Sequence, residues 1–192
     1  HHRSSAASDV YKRQDLLGAT DPYRLGVGAT IAEALERADH VLSERFRDRP
    51  RDEAAVRHRM ARMYMTQGHF DLAEDLARTS LELYEASDDA SAFELASVRA
   101  ALGSLLLVQR REPELSLELL EEARAAALAI EPRPVELLAE IAYGLARYAT
   151  EGGHPERGEE ESRAGLELLL EADLRGTRLH ADLLSRLAAD LI

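Results

Sequence analysis

Tyr64-Met-Thr-Gln-Gly68-His-Phe70-Asp-Leu-Ala73 reads as the turn between two antiparallel helices. Gly68 stands where a helix end needs a left-handed residue, and Phe70 opens the next helix. Tyr64 and Phe70 are aromatic plugs for the gap beside such a turn. Ala73, Ala77, Ser80 and Leu81 follow at helical spacing. Small residues in that row let two helix axes approach closely. The hydrophobic period predicts helices over 52–67 and 70–86.

The pattern recurs. Gly68, Arg110 and Gly153 are 42 and 43 residues apart. The small-residue row reads Ala73/Ala77/Ser80, then Ser116/Leu120/Ala123, then Gly158/Ser162/Gly165. Met60-Ala61, Leu102-Gly103 and Leu145-Ala146 precede the turns in phase. The middle copy needs a one-residue insertion and carries Arg110 where the others have glycine. The expected helices of the second copy cover 90–109 and 113–130, and those of the third 134–150 and 155–172. Pro113, Pro134 and Pro155 fall where a first-turn proline is tolerated. Asp88-Asp89 is read as a turn and N-cap. Before the repeats, residues 15–28 read as a short helical end and a loop. Thr30 then starts a lead-in helix, with Glu33 as its capping-box partner and an end near Phe46. The expected division is 1–14, 15–50, then repeats over 51–87, 88–131 and 132–173, and a partial one over 174–192. The phase leaves the last helix, 175–192, without its partner. The expectation is therefore a chain cut at both ends, with an apolar stripe on its right edge.

These turn and small-residue motifs resemble the tetratricopeptide (TPR) repeat, and their period is similar to the longer variety of kinesin light chains rather than to the ~34-residue form. The resemblance implies an all-α fold, a TPR-like α-solenoid of antiparallel helical hairpins. Tyr64, Gly68, Phe70, Ala73, Ala77, Gly103, Gly153 and Gly158 would be its structural positions. A narrower resemblance runs from Asp15 to about Glu85: Asp15-Leu-Leu, Asp21-Pro22, Thr30-Ile-Ala-Glu-Ala-Leu-Glu-Arg-Ala, Phe46-Arg-Asp-Arg-Pro50 and Tyr64-Met-Thr-Gln-Gly68, in that order. It is similar to the segment beyond the catalytic and membrane-spanning parts of bacterial receptor-type serine/threonine kinases with C-terminal TPR repeats. That resemblance implies a partner-sensing region outside the cytoplasm. Other parents would be an ATP-dependent transcriptional regulator, with the repeats as its sensor array, or a free-standing scaffold; these would place it in the cytoplasm. The kinase phosphate loop, strand lysine, His-Arg-Asp and Asp-Phe-Gly elements do not occur in this chain.

Ser4-Ser-Ala-Ala-Ser-Asp-Val-Tyr-Lys-Arg-Gln14 resembles, residue for residue, the translation of a transposase-tagmentation sequencing adapter. Lys12 is the only lysine, and asparagine is absent, as avoidance of A-rich codons in a GC-rich bacterial genome would produce. Residues 1–14 are therefore set aside from fold reasoning. The net charge is −12, and −14 without Arg3, Lys12, Arg13 and Asp9. Such acidity disfavours nucleic acid and anionic membranes as partners. With no cysteine there is no disulfide framework or thiolate metal site. No apolar run approaches the ~20 residues of a membrane span, the best candidate being interrupted by Glu140 and Arg147.

No catalytic, cofactor or metal motif emerges. Gly26-Val-Gly28 lacks a third glycine, the histidines form no His-Glu-x-x-His pair, and Glu159-Glu160-Glu161 suits the first turns of a helix. A protein or peptide partner is expected instead. In TPR arrays the first helix of each hairpin lines the binding groove. The phase places His58, Arg62 and Met65 there from the first copy, Ser97, Ser104 and Leu107 from the second, and Tyr143, Arg147 and Thr150 from the third. Arg62 and Arg147 would fork onto a carboxylate, and Tyr143 would stack or hydrogen-bond. The asparagines and lysines of the chaperone-tail clamp are missing at these positions.

Overall fold

The computed structural model describes residues 40–190, and every element among them is helical. The expected adapter tail and the start of the Thr30 helix lie outside the described residues. The chain divides into two compact units, His1–Glu53 and Ala54–Ile192. In the first, residues 40–45 are helical and Leu42 is buried. There the Ser43 hydroxyl donates to Glu53 at 3.0 Å, and Arg49 lies over the Phe46 ring.

Seven further helices follow: α1 (Pro50–Thr66), α2 (Phe70–Glu85), α3 (Ala92–Gln109), α4 (Pro113–Leu128), α5 (Val135–Glu151), α6 (Pro155–Glu171) and α7 (Arg178–Asp190). The cap of α3 is Ser91, not the Asp88-Asp89 pair. Its hydroxyl accepts from the Glu94 N–H, and the Glu94 carboxylate takes the Ser91 N–H in return. Such a reciprocal capping box satisfies two donors at once.

The turns within the three hairpins share one geometry, which the α6–α7 turn repeats at Asp173 (φ 57°), with Leu174 N–H on Leu169 O at 2.8 Å. His69 N–H reaches Tyr64 O, Arg111 N–H reaches Leu106 O, and His154 N–H reaches Ala149 O, at 3.0, 2.9 and 2.8 Å. Each turn has its left-handed residue one position earlier: Gly68 (φ 81°), Arg110 (φ 55°) and Gly153 (φ 82°). This is the Schellman ending, in which the left-handed residue lets the next N–H fold back on an orphan carbonyl. The middle copy has its extra residue between Arg110 and Pro113. It is accommodated by a second left-handed residue, Glu112 (φ 43°). That conformation delivers the Glu112 carboxylate to Arg78 of α2 at 2.6 Å. Arg78 also donates to Glu74, which accepts from Gln109 and Arg111 as well. Burial alone would raise the Glu74 pKa, but the Arg78 and Gln109 hydrogen bonds hold it below the usual range.

The apolar core follows from the helix order. α2 packs on α3, α3 on α4, α4 on α5, α5 on α6 and α6 on α7, while α3 also meets α5 and α5 also meets α7. One cluster joins Ala61, Ala73, Ala77, Leu102, Leu105, Leu106 and Leu119, with Tyr64 and Phe70 against it. A second joins α3, α4 and α5 around Leu120 and Ile141, and a third joins α5, α6 and α7 around Leu169 and Leu183. On α7, Leu183 is buried while its neighbour Leu184 is 47% exposed. Central α3 is apolar on nearly every side because it serves three neighbours. It, rather than the α5 stretch around Glu140, is the described helix long and apolar enough to cross a membrane, and half of it is buried within the protein.

Small residues set the closest approaches. The Ser80 hydroxyl donates to Ala54 O and the Ser116 hydroxyl to Gly103 O, both at 2.8 Å and both between the helices of one hairpin. Ser162 is equally buried, yet its hydroxyl has no partner. Ser116→Ala is therefore expected to lose about 1 kcal/mol in urea unfolding, whereas Ser162→Ala should be neutral or gain up to about 1 kcal/mol. Equal losses from the two variants would contradict this packing.

Candidate functional site

A groove of about 320 Å³ opens across the first helices of three successive hairpins. α1 supplies Arg62, α3 supplies Phe93 and Ser97, and the start of α5 supplies Glu136, Leu137 and Glu140, with Pro134 and Val135 at its edge. Phe93 is 49% exposed, unusual for an aromatic ring so close to a core helix. Arg62 Nη2 donates to Glu140 Oε1 at 2.9 Å, joining α1 to α5 over the top of α3. Glu136 lies one helical turn before Glu140 and is exposed.

Of the residues placed in a groove by phase, the structure brings Arg62 and Ser97 to this one. The others go elsewhere. His58 is 8% exposed, and its Nε2 is buried without a hydrogen-bond partner. Burial, then the Arg62 and Arg59 charges, lower its pKa to about 4, so the ring is neutral. Met65 packs against the α1–α4 cluster, and Leu107 is inside the α3–α5 cluster. Ser104 is half-buried facing Gly144. Tyr143 is half-buried against the α5–α7 cluster and does not line this groove. The Thr150 hydroxyl meets Asp190 of α7 at 2.7 Å. Arg62 and Arg147 do not converge: Arg147 holds Glu151 at 2.7 Å and reaches back to Leu107 O.

A larger cleft of about 580 Å³ lies by the second turn, lined in part by Leu107, Arg110, Arg111, Glu114, Tyr148 and Glu151. Arg111 there is held by Asp71 and Glu74, and Glu151 is held by Arg147. Arg110 and Glu114 make no ion pair among the described residues, so charge does not rank the two cavities; the exposed Phe93 ring makes the α1/α3/α5 groove the better candidate. Among the described residues no three His, Asp or Glu side chains gather as metal ligands. The chain matches no family model and no curated protein. The groove therefore has to be read from its own chemistry: an exposed ring, a bridging ion pair and an exposed carboxylate.

Proposed function

We propose that this chain is a noncatalytic TPR-type helical-repeat module that binds a protein or peptide segment in the α1/α3/α5 groove. On this reading the hairpins form a right-handed α-solenoid whose first helices face the partner, within a larger signalling protein such as a bacterial receptor-type serine/threonine kinase. The observation that carries it is the groove itself. It is built from the first helices of three hairpins, and it leaves Phe93 half-exposed where a buried aromatic anchor would be worth most. The equal Schellman turns and the contacts of α3 with α5 and α5 with α7 support the repeat reading.

The test is a random-sequence peptide array probed with the fluorescently labelled full chain. A set of spots should bind, and Phe93→Ala should weaken the best of them about 30-fold, the size of a hot-spot loss. An array with no bound spots, or binding untouched by Phe93→Ala, removes the groove reading.

A further inference from the structure

Resting on that peptide-binding reading, we infer that the groove takes a basic segment, with an arginine side chain seated against Phe93 and Glu136. Three features of the same cavity specify a guanidinium. First, the protein already places one there: Arg62 on Glu140 at 2.9 Å, from a helix two hairpins away. Second, Glu136 lines the cavity one turn from Glu140, is exposed, and makes no ion pair or hydrogen bond among the described residues. Third, Phe93 presents a half-exposed ring in the same cavity. A carboxylate together with an aromatic face suits arginine, whose flat fork pairs with the one and stacks on the other. Lysine would satisfy the carboxylate as a point charge but would stack less well. The field of a chain with net charge −12 attracts a basic segment and repels an acidic one.

Arg62 has a definite part in this arrangement. It holds the second carboxylate of the groove, Glu140, and so competes with an incoming guanidinium. Removing it leaves both carboxylates open to the ligand.

The experiment follows the array with solution titrations of one bound arginine-containing peptide and its Arg→Lys, Arg→Gln and Arg→Glu twins. The arginine peptide should bind about threefold tighter than the lysine twin and about tenfold or more tighter than the glutamate twin, with affinity falling as salt rises. Glu136→Arg should weaken it about tenfold, while Arg62→Gln should tighten it severalfold. Both changes are at exposed side chains, and circular dichroism verifies the fold of each variant. Groove-dependent binding of neutral or acidic peptides, indifferent to Glu136→Arg, would overturn the arginine inference and leave peptide binding standing. Arginine peptides that bind equally well to the Phe93→Ala and Glu136→Arg variants would mean general attraction to an acidic chain, which also overturns it. No peptide binding of any class removes both readings.

Discussion

Leu120→Ala is expected to cost about 3–5 kcal/mol, the upper range for a buried leucine, and to lower the melting temperature by about 10 °C. Leu120 is fully buried at the centre of the α3–α5 cluster. It fits a socket made by two glycines. Its Cγ lies 3.0 Å from where a Cβ on Gly103 would stand, and its Cδ2 lies 2.9 Å from where one on Gly144 would stand. The neighbours are helix backbones already in contact, so the site has little freedom to collapse, and most of the cavity will persist. The same geometry makes Gly144→Ala unfavourable by about 1–3 kcal/mol, because the leucine has nowhere to move. In a Leu120→Ala background that methyl group enters the vacated space. A double-mutant cycle by chemical denaturation should therefore show a favourable coupling of about 1–2 kcal/mol. If Gly144→Ala cost the same in both backgrounds, the two-glycine socket would be refuted.

The second large effect concerns acid. Unfolded, the His58 imidazole takes a proton near 6.5; folded, burial and the Arg62 and Arg59 charges delay this to about 4. The unfolded state thus binds the extra proton first as pH falls. The stability associated with a neutral His58 is complete above pH 6.5. It declines through the interval down to pH 4, by about 3 kcal/mol in all. Replacement by leucine removes that dependence without leaving an unpaired ring nitrogen. Urea titrations of both proteins at pH 7.5 and pH 4 should show the wild-type chain losing about 3 kcal/mol more than His58→Leu. Carboxylates such as Glu74 titrate in both proteins and cancel in the difference. Parallel losses would show that the imidazole is not held neutral by the fold.

The helical class and the helix limits were largely legible in the sequence, because glycine and proline punctuate nearly every turn. Pro113 and Pro155 begin α4 and α6, and Pro134 caps α5 one residue earlier than its expected helical place. Ser91-x-x-Glu94 was equally visible as a capping box, but the adjacent aspartate pair masked it. The groove was legible only in part. Arg62 and Ser97 follow from helical phase, and Phe93, Glu136 and Glu140 continue the faces of Ser97 and Tyr143 one or two turns nearer the helix starts than the repeat alignment pointed. The groove joins the C-terminal half of α1 to the first turns of α3 and α5. Such an axial offset is a property of packing, which a repeat period does not encode. Tyr143 and Thr150 were misplaced for a related reason: α7 packs against both α5 and α6, and it draws side chains of the third hairpin toward itself. The buried state of His58 had no local signal, since a histidine between two arginines reads as a surface residue.

The added residue of the second turn bears on how this chain tolerates changes in length. Phe70, Pro113 and Pro155 begin helices whose third following residues, Ala73, Ser116 and Gly158, are all buried at the seam with the preceding helix. The extra residue before Pro113 leaves that count untouched, because Arg110 and Glu112 absorb it by turning left-handed. A single-codon gain or loss there alters the spacing of the copies without changing which faces meet. The numerical period can then blur while the stacking survives, so helix starts, and not a fixed ruler, are the coordinates in which the three hairpins compare.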